Sequence, residues 1–98
     1  MSEAQRYMAI QIKGAQLPAP VLEYAFDSSE QYRLTFAWPS YRVALEIEEA
    51  LFIISDMESN CLKYSEAAAA GWCVLQCTST MVRDGTALKL LERALRYI

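Results

Sequence analysis

Two glutamates in the middle of this chain, Glu46 and Glu48, have the residue type and the spacing to do chemistry. They stand two positions apart in the run VALEIE, in which large apolar residues alternate with smaller or acidic ones, as on a β-strand. Successive side chains of a strand point to opposite faces of the sheet, so both carboxylates should lie on one face. Neighbouring carboxylates repel each other and lose solvation on burial. The pair therefore needs either a cation to share or a solvent-exposed face, and the sequence leaves both alternatives open.

The segments that must position these acids are predicted by apolar periodicity and by turn residues. Pro18 and Pro20 break the helical pattern after Gly14. The turn formers DSSE separate two aromatic-rich runs, which should pair as an antiparallel hairpin. The predicted elements are a helix over 3–13, strands over 21–26, 32–38 and 43–48, a polar interruption over 55–59, a helix over 60–70, a buried strand over 72–77 and a closing amphipathic helix over 86–97. The order αβββαβα predicts an α/β (α+β) fold, a three-strand antiparallel meander extended by a fourth strand and flanked by helices.

The composition limits the possible functions. With 98 residues, 54% of them hydrophobic, the chain can bury one core, and we expect a single domain over 1–98. It contains no histidine, which excludes Ser-His-Asp and Cys-His nucleophiles. Its cysteines, Cys61, Cys73 and Cys77, form no C-x-x-C pair, so we expect buried, reduced thiols rather than disulfides or zinc ligands.

Charge and hydropathy indicate where the protein works and what it binds. No apolar run approaches the roughly 20 residues of a membrane span, and the segment MSEAQRY lacks a signal-peptide pattern. We therefore expect a cytoplasmic protein without membrane contact. The net charge of −3 is unfavourable for binding phosphates, because that affinity comes from Lys and Arg. We therefore expect weak or no direct binding to nucleic acid. A larger protein or nucleoprotein complex with a basic surface is the expected partner, with the oligomeric state open.

Three motifs, taken in the predicted order of elements, carry a family resemblance. They are FAWP at 36–39, ALEIE at 44–48 and AAAAGWCVLQCTSTMV at 67–82. Over nearly the whole length the chain resembles the PD-(D/E)XK nuclease superfamily, in particular small phage and bacterial members related to very-short-patch-repair endonucleases. The resemblance implies a restriction-endonuclease-like fold. In that family an Asp on the strand before the W-P turn and the acids of the next strand hold Mg²⁺, which activates water and stabilises charge on the phosphate. The resemblance therefore implies Glu46 and Glu48 as metal ligands.

Several positions depart from the pattern of that family. The most consequential is Thr35, which stands where the family has the Asp, because a neutral hydroxyl is a poor ligand for magnesium. The other departures are Glu49 in place of Gly, Asn60 in place of Asp, and Cys73 and Gln76 where relatives often carry Arg, whereas Lys63 and Tyr64 match. The resemblance therefore implies a degenerate nuclease domain that has lost its chemistry.

Two main hypotheses for the function follow. The first is a catalytically inactive nuclease-fold binding protein without a cofactor, a phage or mobile-element inhibitor or regulator of a nucleic-acid-processing machine, of the anti-defence or anti-CRISPR type. The acids that would engage the basic surface of the partner are Glu46, Glu48, Glu49, Asp56 and Glu58. The alternative is a Mg²⁺-dependent DNA endonuclease that uses Glu46 and Glu48 with Glu23 or Asp27 as a substitute ligand. A third hypothesis is a subunit whose site is completed in an oligomer or by a catalytic partner.

Other residues allow a functional and a structural interpretation. Trp38 and Trp72 are candidates for base stacking, but their apolar neighbours favour core packing. Lys63 and Arg42 are candidates for phosphate contacts, but a solvated surface charge is the commoner role of such residues. The apolar run 50–54 is either additional core or a docking surface.

Overall fold

A four-stranded mixed sheet with helices packed on it forms the protein. The computed structural model describes residues 1–48 and 54–96, with the side chains of 54–56 left out. The elements are α1 (Glu3–Gly14), β1 (Val21–Ala25), β2 (Arg33–Trp38), β3 (Val43–Glu48), α2 (Ile54–Ala69), β4 (Cys73–Thr78), α3 (Ser79–Arg83) and α4 (Thr86–Ala94). This confirms the predicted α+β architecture. In the part of the chain just defined, no helix is long and apolar enough to cross a membrane.

The strands lie in the order β1-β2-β3-β4. The first three form the predicted antiparallel meander, with Tyr24 opposite Leu34 in its first hairpin. The fourth strand runs parallel to β3 and sets Glu46 opposite Gln76. Parallel neighbours need a crossover connection, which α2 provides between β3 and β4. This crossover brings a helix to the sheet beside the strand that carries both acids.

The first helix begins at a capping box. The Ser2 hydroxyl accepts a hydrogen bond from the Gln5 backbone N–H at 3.1 Å, and the Gln5 side chain accepts one from the Ser2 N–H at 2.9 Å. Along the helix, Ala4, Met8 and Ile12 are buried at intervals of four residues, which places them on one face. The predicted helix over 3–13 is confirmed.

Two hydrophobic clusters are formed by the described side chains. The larger one joins the sheet to α1, α3 and α4 and contains Met8, Ile12, Phe36, Trp38, Val43, Leu45, Cys77, Val82, Ala87, Leu91 and Leu95. The smaller one contains Leu34, Ala37, Ala44, Ala67 and Trp72. Because Ala37 and Ala44 alternate with Phe36 and Leu45 along their strands, these two alanines face the opposite side of the sheet from Phe36 and Leu45.

Both tryptophans belong to the core. Trp38 is 2% exposed and Trp72 is 6% exposed. The Trp38 indole N–H donates a hydrogen bond of 2.7 Å to the Pro18 carbonyl, which satisfies its polar atom on burial. Core packing, the favoured interpretation of these residues, is therefore confirmed over base stacking.

The predicted boundaries of two helices are wrong. The second helix begins at Ile54 rather than at Asn60, so residues 55–59 do not interrupt it. The acids at 56 and 58 are compatible with this position, because the helix dipole favours negative charge near the start of a helix. The closing helix ends at Ala94, and the unpredicted helix α3 precedes it, with the Thr78 hydroxyl accepting a hydrogen bond from the Met81 N–H at 3.2 Å. Residues 50–53 of the apolar run lie outside the described residues.

The expectation of buried cysteines holds for one of the three. Cys77 is buried, and burial raises the pKa of its thiol. Cys61 and Cys73 are exposed, so the prediction was wrong for both. Cys73 is the first residue of β4, which lies at the edge of the sheet that the described residues form, and Cys61 lies on α2. Exposure here is decided by the position of the elements in the fold, which the local pattern does not encode.

Candidate functional site

The carboxylate of Glu46 is buried although it is charged. The residue is 5% exposed, and it lies on β3 between the neighbouring strands β2 and β4. Its side chain points to the face of the sheet that α2 covers. The interpretation that this acid lies on a solvent-exposed strand face is therefore wrong for Glu46. A buried charge must be compensated by a counter-charge and by hydrogen bonds.

Among the described residues, three donors surround this carboxylate. The Thr35 backbone N–H donates to Oε2 at 2.5 Å, and the Thr35 hydroxyl donates to Oε1 at 3.2 Å. The Lys63 ammonium lies 3.0 Å from the same Oε1. The cation that the acidic strand requires is therefore supplied by the protein itself, from α2.

Lys63 is not the solvated surface charge considered for it from the sequence. Its side chain is 19% exposed and that of Glu46 is 7% exposed, so the ion pair is largely removed from water. The ammonium also lies 5.6 Å from the centre of the Tyr64 ring, within the range of a cation–π contact. Lys63 is thus an internal counter-ion of Glu46 and not a solvated surface charge.

The second acid has a different partner. Glu48 is half-buried at the end of β3, and its Oε2 accepts a hydrogen bond from the Tyr64 hydroxyl. Burial raises the pKa of the Tyr64 phenol, and the hydrogen bond to Glu48 and the charges of both glutamates raise it further. Two adjacent residues of α2 therefore contact the two acids. Lys63 pairs with Glu46 as a cation, and Tyr64 donates a hydrogen bond to Glu48 as a neutral group.

We expect the raised pKa of Tyr64 to make stability depend on alkaline pH. An unfolded tyrosine ionises near pH 10, whereas folded Tyr64 keeps its proton, so the free energy of unfolding falls as pH rises above that value. Above pH 10 the slope should approach about 1.4 kcal/mol per pH unit for this one group. Urea unfolding of wild type and Tyr64→Phe at pH 8 and pH 10.5 measures it. The advantage of wild type over the variant should shrink between the two pH values.

Tyr7→Phe is the matched control for this experiment, because Tyr7 is 44% exposed and lies on α1, away from both acids. It should change the free energy of unfolding little at either pH. An equal advantage of wild type over Tyr64→Phe at both pH values would contradict a protected phenol.

The remaining predicted site residues do not gather around Glu46. The Asp27 side chain accepts hydrogen bonds within its own turn, from the Ser29 hydroxyl and from backbone N–H groups, and the bond from Ser29 is the main cause that lowers its pKa. Glu23 is exposed and has a positive φ of 51°, and its carbonyl accepts a hydrogen bond from Arg33 at 2.9 Å. Neither acid has a described contact with Glu46.

The predicted acids of the second helix and its approach are only partly described. Glu58 is exposed on α2 and has no contact with Glu46 or Glu48 among the described atoms. Glu49 lies outside the described residues, and so does the side chain of Asp56. Of the five predicted binding acids, Glu46 and Glu48 are therefore the two that the structure places side by side on one strand.

The donors around Glu46 do not match the needs of a magnesium ion. Mg²⁺ takes six oxygen ligands in an octahedron and relies on carboxylate charge. Here an ammonium group and the N–H and hydroxyl of Thr35 point at the carboxylate, and a cation approaching Glu46 meets the positive charge of Lys63. Within 1–48 and 54–96, no three Cys, Asp or Glu side chains come together as a ligand set. Among the described residues, the surroundings of Glu46 are therefore those of an ion pair and do not fit a resident metal.

The pairing of Lys63 with Glu46 was missed in the sequence, although a signal for it existed. Between Leu34 and Val82 the chain has two cations, Arg42 and Lys63. Arg42 donates to the Ala70 carbonyl at 3.1 Å and lies over the Trp72 ring. Arg42 is thus engaged elsewhere in the structure, and Lys63 is the cation of this segment that pairs with Glu46.

Comparison with known proteins supports the fold. The solved structure of the homing endonuclease I-Bth0305I catalytic domain superposes on this chain with a TM-score of 0.71 and 13% sequence identity, over 97% of this chain and 94% of that one. No protein-family model matches the sequence, and no curated protein matches it either. The protein thus has a restriction-endonuclease-like fold. At this identity the likeness concerns the fold alone.

Proposed function

We propose that this nuclease-like domain is catalytically inactive and acts by binding. The observation that carries the proposal is the internal ion pair, in which Lys63 lies 3.0 Å from the Glu46 carboxylate. In a metal-dependent nuclease the acid of this strand binds the ion that activates water. Here its charge is already neutralised by Lys63, and Thr35 contributes hydrogen-bond donors in place of a second carboxylate.

The binding role we propose is that of a phage or mobile-element inhibitor or regulator of a nucleic-acid-processing machine, of the anti-defence or anti-CRISPR type. The net charge of −3 supports a partner with a basic surface, such as a nucleic-acid channel. Charge complementarity steers such an encounter and excludes acidic competitors. Of the acids predicted for this contact, Glu58 is exposed and Glu48 is half-buried, so these two are the described side chains that a partner can reach. Glu46, also predicted for it, is buried and paired with Lys63 and is not available to a partner. Glu49 and Asp56 complete the predicted set.

A metal-dependent DNA endonuclease is the second candidate. One observation favours it, because Glu46 and Glu48 share a face of β3 with Lys63 and Tyr64 directly beside them. An acidic pair with an adjacent ammonium group resembles the charge pattern that phosphate cleavage uses. For this candidate, Mg²⁺ or Mn²⁺ must displace Lys63 from Glu46 and find further ligands.

Cleavage of supercoiled plasmid with Mg²⁺, and separately with Mn²⁺, distinguishes the candidates. We expect no nicking above the level of a Glu46→Gln preparation purified in parallel, and no heat of metal binding by calorimetry. Nicking that requires the metal and disappears in Glu46→Gln would establish the endonuclease. Light scattering of the same samples tests whether an oligomer completes the site.

Capture of a partner tests the binding role. Wild type and a Glu58→Lys variant, immobilised at equal density, are exposed to host lysate with and without added duplex DNA. We expect wild type to retain a basic nucleic-acid-binding protein that DNA competes away, and the variant to retain less of it. Retention of no specific protein, or retention that DNA leaves unchanged, would contradict a partner bound through its nucleic-acid channel.

A further inference from the structure

A small cavity lies beside the acidic strand, between α2 and β4. It has a volume of about 120 Å³ and is lined by Glu48, Met57, Asn60, Cys61, Tyr64 and Gln76. The α2 residues lie at 57, 60, 61 and 64, the spacing that places side chains on one face of a helix. One water molecule takes up about 30 Å³ in the liquid. The cavity therefore has room for a flat group of a few heavy atoms.

The charge of this cavity favours a cation. Among the described lining residues Glu48 is the one acid, and no lysine or arginine stands among them. The Tyr64 hydroxyl uses Oε2 of Glu48, and Oε1 has no partner among the described residues. The side-chain carbonyls of Asn60 and Gln76 add neutral acceptors at the same cavity. Lys63 does not compete for Glu48, because its ammonium is paired with Glu46.

We infer that this cavity receives an arginine side chain of the protein partner. The inference rests on the proposed binding function and names the group that is recognised. A guanidinium is flat, carries five donors and pairs with a carboxylate in a two-pronged geometry. It is less strongly hydrated than an ammonium, so it enters a half-buried site more readily than lysine does. The Met57 and Cys61 side chains offer apolar surface to its aliphatic stem.

Short peptides with one variable residue test this inference. The probes are acetyl-Gly-Arg-Gly-amide, the lysine analogue, and the citrulline analogue, which has nearly the shape of arginine without its charge. Amide signals of the labelled full chain are followed by NMR during titration. We expect saturable shifts at α2 and β4 with the arginine peptide, weaker binding of lysine, and no binding of citrulline. Equal binding of arginine and citrulline, or no saturable shift with arginine, would overturn the inference.

Two variants with the same change in charge complete the test. Glu48→Gln keeps an acceptor for Tyr64 but removes the charge, and should weaken the arginine peptide about tenfold. Glu66→Gln changes an exposed acid on another side of α2 and should leave the affinity unchanged. Equal weakening by both variants would show a general charge effect and overturn the inference.

The outcomes for this inference and for the proposed function are separable. If the arginine peptide does not bind and Mn²⁺ does not bind either, the cavity assignment fails while the inactive domain stands. If Mn²⁺ binds, competes with the peptide and supports nicking, both fail together.

Discussion

Replacing Lys63 with methionine is expected to lower the free energy of unfolding by about 3–5 kcal/mol. The variant keeps the length of the aliphatic stem but leaves the Glu46 carboxylate buried without its counter-charge. With side-chain exposures of 19% for Lys63 and 7% for Glu46, water cannot replace the lost ammonium. Urea unfolding at pH 7, followed by circular dichroism, measures the change. A loss below about 1 kcal/mol, the size found for exposed pairs, would show that Lys63 is not the required cation.

A double variant separates the loss of the pair from the loss of packing. Glu46→Gln combined with Lys63→Met removes both charges, and the side-chain carbonyl of the introduced glutamine can still accept from the Thr35 N–H. Replacing a whole buried pair with neutral groups is often close to neutral, so most of the stability should return. Lys89→Met is the matched control, because Lys89 is exposed on α4, and it should change stability by less than about 0.5 kcal/mol.

Replacing Thr35 with aspartate should make the stability of the protein depend on divalent cations. The Thr35 hydroxyl lies 3.2 Å from the Glu46 carboxylate, so a carboxylate at this position adds a second negative charge beside a buried one. Without metal we expect the free energy of unfolding to fall by about 2 kcal/mol. At a Mn²⁺ concentration of about 100 times the dissociation constant, binding to the folded state should raise the free energy of unfolding by about 2.7 kcal/mol. Thermal or urea unfolding with Mn²⁺ and with EDTA measures both effects.

Thr35→Asn is the control for this prediction, since asparagine has nearly the same shape as aspartate but no charge. Its stability, like that of wild type, should be the same with Mn²⁺ and with EDTA. If wild type gains stability with Mn²⁺, then Glu46 and Glu48 hold an ion without help from position 35, which contradicts the proposed loss of chemistry. If the aspartate variant does not respond, the fold lacks a further ligand besides the two strand acids and the introduced carboxylate.

Much of the fold was predictable because its signals are local. The alternation of Val43, Leu45 and Ile47 with the two acids predicted β3, and the turn at 27–30 predicted the first hairpin. The start of α2 was not predictable in the same way. Residues 55–59 are polar, and whether such a stretch is helical depends on the rest of the helix and on what it packs against.

The partnership in the candidate site was decided at a longer range. Lys63 and Glu46 are 17 positions apart, and no periodicity joins them. They meet because α2 crosses over the face of the sheet that carries Glu46, on its way from β3 to the parallel strand β4. The same placement of α2 brings the Tyr64 hydroxyl to the Glu48 carboxylate. The exposure of Cys73 follows likewise from the position of β4 at the edge.

The amino-acid sequence by itself determined that two carboxylates lie on one face of one strand and that they need a cation or water. This follows from the two-residue period of a β-strand, which is a local property of the chain. Only the tertiary structure decided whether a cation or water compensates the charge of Glu46, because burial and ion pairing depend on segments that meet in space. The answer is an internal lysine, set in place by the crossover helix.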